Sequence, residues 1–188
     1  MAVTLNASTS SGFIATSDTS GVLELQNNGT TRMKVNSSGV SFAAQPLIGG
    51  IAPPAFSAYH STTQSLGQDV ITKVLFNTEV FDTNNNFASS RFTPTVAGYY
   101  QFSCGIRANN NPQIALHVQL RLNNSTTFAQ GQFTNTGLAA FMSSCSGLAY
   151  LNGTTDYVEV YTYNGTNGSV LESGIGVCYF QGVLVRGA

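Results

Sequence analysis

The chain has 188 residues, enough for one ordinary domain and a small appendage. Charged residues are only 8% of it and the net charge is −1, where typical globular chains carry about 25% charged residues. Such a neutral, Asn-, Ser-, Thr- and Gly-rich surface excludes the basic stripe that nucleic acid needs, and it gives no attraction to an anionic membrane.

The apolar content of 42% supports a core, and 12 Phe with 8 Tyr argue against disorder, which lacks aromatics. Met1 to Asn6 offers no basic segment followed by an apolar run, so no secretion signal is expected. No stretch approaches a membrane-spanning helix in length. A 3.6-residue apolar period is absent throughout. What recurs is period two, punctuated by Asn-Gly and Ser-Gly pairs, which predicts an all-β chain.

Residues 1–45 read as a small β module for anchoring or trimerisation. Leu23-Glu24-Leu25-Gln26, Thr31-Arg32-Met33-Lys34-Val35 and Val40-Ser41-Phe42 alternate, and Asn28-Gly29 and Ser38-Gly39 between them suit tight hairpin turns. Three short strands have little core of their own, so sister chains or a larger surface should cover the apolar face. Residues 46–54, with Pro46, Gly49, Gly50, Pro53 and Pro54, read as a linker.

From residue 55 to 188 the predicted strands are longer and more apolar: 55–61, 70–77, 90–93, 98–107, 114–122, 127–133, 138–151, 157–163 and 174–185. In the fourth, Tyr100, Phe102, Cys104 and Ile106 share a face, as do Ile114, Leu116, Val118, Leu120 and Leu122 in the fifth. Eight to ten such strands fit a two-sheet sandwich or jelly roll.

The chemistry of catalysis is missing. No Gly-x-Ser-x-Gly elbow or phosphate-binding loop occurs, so neither an enzyme nor a cofactor is expected. Asp156 and Glu159, three residues apart on a strand, should face opposite sides rather than converge on one bond. His60 and His117 stand alone, so no metal site is expected. Cys104, Cys145 and Cys178 cannot all pair within one chain, and each sits in an apolar run, which predicts buried, inert thiols.

The run Phe76-Asn77-Thr78-Glu79-Val80-Phe81-Asp82, followed by Phe87, Phe92, Gly98, Tyr100 and Phe102, resembles the signature of the complement/tumour-necrosis-factor-like globular heads. Pro54 to Tyr59 is similar to that family's first strand and Tyr179 to Val185 to its last. Two departures stand out: the Phe87-to-Phe92 gap is short, which implies a trimmed loop, and Cys104 occupies a position where the family has Phe or Tyr. The resemblance covers about residues 53–187 and implies a ten-stranded jelly roll that trimerises. Phe76, Phe87, Phe92, Tyr100 and Phe102 should be core, each contributing roughly 1.5–3 kcal/mol on burial, and Gly98 should close a turn before a core strand. Some members of the family bind calcium near the apex of the head. Asp82 could offer an oxygen there, although local hydrogen bonds in its turn are the simpler reading.

The stretch Leu23 to Gly39 resembles segments of tailed-bacteriophage fibre and virion-surface proteins. Together the two resemblances imply a non-catalytic homotrimer on the virion surface that decorates the shell, with the major capsid protein or another virion protein as partner. An appendage of 45 residues spans at most about 150 Å when extended, too short for a self-standing long fibre. The alternative is a fibre tip that binds a host-surface receptor or glycan through the outer loops of the head, with Asn84, Asn85, Asn86, Asn110, Asn124, Asn164 and Asn167 as candidate ligand-facing residues; the bland reading is that these asparagines build turns. A third reading is a complement-like binding module of cellular origin. Neither nucleic acid nor membrane insertion is expected.

Overall fold

The computed structural model describes residues 20–42, 53–109, 114–135, 140–165 and 168–188. The chain divides into two compact units, one ending at Leu47 and the other beginning at Ile48. Most of the predicted linker, residues 46–52, lies outside the described residues.

The first unit is an antiparallel meander of β1 (Leu23–Asn27), β2 (Thr30–Asn36) and β3 (Gly39–Phe42). Asn28 and Gly29 both take positive φ, at 49° and 74°, as a two-residue hairpin turn requires. Asn36 Oδ1 accepts from Ser38 N at 2.9 Å and stabilises the second turn. The register pairs Leu23 with Val35, Leu25 with Met33 and Val35 with Val40, so one face is apolar. Among residues 20–40 whose side chains are described, none is fully buried, and Leu23, Leu25 and Val40 are exposed. On β1 and β2, Lys34 Nζ lies 3.5 Å from Glu24, and Thr31 Oγ1 donates to Glu24 at 2.9 Å.

The second unit is a two-sheet sandwich. The first sheet has seven strands in the order β5 (Gln64–Ser65), β15 (Val170–Leu171), β10 (Gly98–Asn109), β16 (Tyr179–Gly187), β4 (Ala55–Tyr59) and β7 (Thr78–Asp82), with β13 (Ala140–Leu151) on the opposite edge of β10. The second has six: β12 (Thr126–Asn135), β11 (Ile114–Leu122), β14 (Val158–Asn164), β9 (Arg91–Phe92) and β8 (Phe87–Ala88), with β6 (Val70–Lys73) also on β14. All pairings are antiparallel. No helix occurs among the described residues, and so none is long and apolar enough to cross a membrane.

Among the described residues the two sheets hold seven and six strands where ten were expected. Four of them, β5, β8, β9 and β15, are only two residues long; β9 falls within the predicted strand 90–93, and the other three are too short to leave a periodic trace in sequence. A second correction concerns 174–185: the strand begins at Tyr179, because Gly174, at φ 135°, opens a turn whose carbonyl accepts from Val177 N and Cys178 N.

The core lies between the sheets. Phe56 is its hub, stacked on Phe92 at 4.5 Å and Phe87 at 5.1 Å and edge-on to Phe180 at 4.8 Å. Phe76, Phe87, Phe92, Tyr100 and Phe102 are all buried around it. The Tyr100 hydroxyl donates to Val96 O at 2.7 Å, and burial pushes the phenol up to about 12. Gly98 sits where a Cβ would lie 2.4 Å from Arg186 O, so β10 and β16 approach too closely there for any side chain. The short Phe87-to-Phe92 connection is a hairpin closed by Ser89 and Ser90, both at positive φ, and Ser90 Oγ accepts from Phe76 N at 2.9 Å.

Candidate functional sites

Two surfaces of the sandwich unit stand out. The first is the outward side of the seven-stranded sheet. Strand alternation sends Tyr100, Phe102, Cys104 and Ile106 into the core and leaves Tyr99 and Gln101 outside. Tyr99 pairs with Tyr150 across β10 and β13, their rings 5.4 Å apart. Gln101 lies between Leu148 on one side and Val183 on the other. Tyr99, Leu148, Tyr150, Val183 and Val185 are between 43% and 55% exposed, an apolar patch on a face whose remaining outward positions include Ser144, Ser146 and Gln181. A depression of about 410 Å³ adjoins it, lined by Ala55, Phe81, Gln101, Ser103, Gln181 and Val183 among others.

The second surface is a polar cleft of about 450 Å³ beside the outward face of the six-stranded sheet, lined by Lys73, Asn85, Asn86, Ser89, Arg91 and Thr93 with Ala88. At its base β14 turns Glu159 towards β6 and β9, in register with Arg91. Glu159 is only 1% exposed. Its Oε1 accepts from Lys73 Nζ at 2.6 Å and Arg91 Nε at 2.8 Å, and its Oε2 accepts from Tyr161 OH at 2.9 Å. Burial alone would raise the Glu159 carboxyl, but the bonds from Lys73, Arg91 and Tyr161 outweigh it and hold it below its usual value. Lys73 Nζ also donates to Ser89 O at 2.9 Å, and the Arg91 guanidinium stacks 3.7 Å from the centre of the Tyr157 ring. Two cations face one carboxylate, so the cleft carries a net positive charge. Nothing in the local sequence predicts this cluster, whose members lie 86 and 68 residues from Glu159.

The candidate asparagines divide. Asn85 is exposed at φ 57° and lines the cleft, and Asn84 is half-buried. Asn124 is exposed in the turn between β11 and β12, at φ 55°. Asn86 and Asn164 correct the expectation of ligand-facing amides, since both are buried, at 5% and 0% exposure. Asn86 Nδ2 is spent on Asn84 O and Thr95 Oγ1, and Asn164 Oδ1 accepts from Ser169 Oγ at 3.2 Å. Each builds its loop from within. Asn110 and Asn167 lie outside the described residues.

Asp82 turns both oxygens inward, accepting from Asn84 N at 3.3 Å and Phe87 N at 2.6 Å, the pattern of a loop-ordering carboxylate. Asp156 likewise accepts from Asn152 N and Asn123 Nδ2, away from the Glu159 cluster. Among the described residues no three His, Cys, Asp or Glu side chains gather as metal ligands would. His60 is buried with Nδ1 against Leu75 O, and burial lowers its pKa.

No protein-family model matches the sequence, and no curated protein is similar to it. Solved structures are. The globular domain of zebrafish complement 1qA protein superposes with a TM-score of 0.56 at 20% identity, covering 72% of this chain and 99% of that one. Murine APRIL matches with a TM-score of 0.56 at 12% identity, covering 71% and 100%. Eiger TNF from S. frugiperda matches with a TM-score of 0.51 at 12% identity, covering 73% and 96%. The fold of the larger unit is therefore the complement/tumour-necrosis-factor jelly roll.

Proposed function

We propose that the chain is a non-enzymatic structural protein of a tailed-phage virion surface: a homotrimer that decorates the capsid, held by its N-terminal module and projecting the jelly-roll head. The observation that carries this reading is the apolar patch of Tyr99, Leu148, Tyr150, Val183 and Val185 on the outward side of the seven-stranded sheet. Adjoining apolar side chains gathered on one sheet face are the mark of a subunit contact, and the complement and tumour-necrosis-factor resemblance supports a threefold arrangement. The second support is the apolar face of β1–β3, which offers a shell or sister chains something to bind. A trimer that binds assembled shell but not free capsid subunits stabilises the shell by mass action.

The test is a truncation. The full chain should run as a trimer by light scattering and bind purified capsids; a chain lacking residues 1–45 should remain trimeric and lose capsid binding. A truncated head that still decorates capsids would reverse the assignment of roles. Labelling virions with antibody against the head separates capsid from tail.

The polar cleft favours a second reading, a spike or fibre tip that binds a host-surface glycan. Its hydrogen-bonding lining and volume of about 450 Å³ fall in the range of small-ligand sites, about 300–1,000 Å³. On a glycan array the trimer should then retain sugars, and replacement of Ala88, an exposed cleft residue outside the ion cluster, by Trp should remove that signal. An array with no bound sugar removes this reading.

A further inference from the structure

Cys104 on β10 and Cys145 on β13 are direct cross-strand partners. Both point between the sheets: Cys104 is fully buried, and Cys145 packs against the same core while remaining partly exposed. Their sulfurs lie 3.5 Å apart and share a hydrogen bond. Directly opposed residues of an antiparallel pair have Cα atoms about 4.5–5.5 Å apart, which falls inside the range of about 4.4–6.8 Å that a disulfide spans. The backbone thus already has the spacing of a cystine, and only the side chains need to turn.

We propose that Cys104 and Cys145 form a peroxide-reactive dithiol that closes to an intrachain disulfide between β10 and β13. The two thiols are unequal. The hydrogen bond from Cys104 lowers the Cys145 thiol and outweighs the effect of burial, and backbone bonds at Leu120 and Gly131 lower it further. The same hydrogen bond, with burial, pushes Cys104 up. The more exposed sulfur is therefore also the one that ionises first, as an attacking thiolate should. The Cys145 thiolate attacks one oxygen of the peroxide, the O–O bond breaks, and the departing hydroxide takes up a proton to leave as water. Cys145 is then a sulfenic acid. The Cys104 sulfur attacks the Cys145 sulfur, the S–O bond breaks, and the hydroxyl leaves as water with the proton of Cys104. Two thiols lose two electrons and one peroxide becomes two waters. Cys178 serves as an internal control, because it is buried and its sulfur accepts from Arg107 N at 3.3 Å, bonded to backbone rather than to a second thiol.

The link would close a loop between residues 41 positions apart, containing β11 and β12. Loops of that size gain stability from a cross-link, and a rise in Tm of about 5–15 °C is expected. The full-length protein is treated with hydrogen peroxide, alkylated, digested without reductant and mapped by mass spectrometry. The expected result is one peptide pair joining Cys104 to Cys145, lighter by two hydrogens, with Cys178 alkylated and a raised Tm that falls back on reduction. Cys104→Ser, which removes the resolving sulfur but keeps a hydroxyl to donate to Cys145, should leave Cys145 trapped by dimedone as a sulfenic acid, and Cys178→Ala should still cross-link. Three alkylated cysteines, Cys145 carried on to sulfinic acid without a link, or a link between chains would each overturn the proposal. The wild-type map decides the matter even if Cys104→Ser does not fold.

Discussion

Replacing Phe56 with alanine should cost about 3–5 kcal/mol of folding stability and lower Tm by about 6–20 °C at fixed chain concentration. Phe56 is 1% exposed and contacts rings from four other strands: Phe87 of β8, Phe92 of β9, Phe102 of β10 and Phe180 of β16. It belongs to the seven-stranded sheet, whereas Phe87 and Phe92 belong to the six-stranded one, so its ring joins the layers. Truncation removes the transfer energy of an aromatic ring and leaves a cavity between two relatively rigid sheets, which cannot collapse to fill it. The neighbouring β16 adds a constraint. A Cβ at Gly182 would sit 2.6 Å from the Phe102 ring and 2.8 Å from Phe56, so the two rings lie directly over that glycine backbone. Ile175, 58% exposed in a turn, is the control: Ile175→Ala should stay within about 0.5 kcal/mol of wild type. Chemical denaturation of both variants measures the difference. A Phe56→Ala protein no less stable than Ile175→Ala would mean that the ring cluster does not hold the sheets together.

How much of this was legible in the sequence depended on where each interaction's partners lie. The strand Gly98–Asn109 could be read directly: its period-two run is long and buries alternate residues from Gly98 to Ala108. Phe76, Phe87, Phe92, Tyr100 and Phe102 could be placed together only through the family resemblance, because no local pattern brings Phe76 near Phe92. The 174–178 segment was misread for a physical reason. Gly-Ile-Gly-Val-Cys alternates small and apolar residues as a strand does, but Gly174 can take the φ of 135° that starts a turn. Turn asparagines raise a related problem. Asn85 and Asn124 stay outside and Asn86 and Asn164 go inside, although all four read alike as polar residues in loops or near strand ends. The cross-strand partnership of Cys104 with Cys145 depends on register, which the connecting turns set and composition does not.

The Glu159 cluster was the least legible feature, and it gives the second large expected effect. A double variant, Lys73→Met with Arg91→Leu, keeps the apolar stems and removes both cations. It leaves a carboxylate that is 1% exposed with the Tyr161 hydroxyl as its remaining side-chain donor. Stranding a buried charge in this way costs about 3–5 kcal/mol at neutral pH, and loss of the Arg91–Tyr157 stack adds about 0.5–1 kcal/mol. The pH dependence identifies the cause. In the native protein the Glu159 pKa is held below the usual 4.5, so its contribution is present above the unfolded value and is lost as pH falls through the folded one. Without the cations burial dominates and the folded pKa moves above the unfolded value. The destabilisation is then full at neutral pH and is relieved as pH falls through the raised folded value, where Glu159 takes up a proton. The stability gap between native and double variant should therefore narrow steadily towards acid, and adding Glu159→Leu should recover most of the loss at pH 7 by replacing the stranded charge with an apolar group. Urea denaturation at several pH values from 7 downward would follow the gap. A gap independent of pH would show that the loss comes from the packing of the two long side chains rather than from the buried charge.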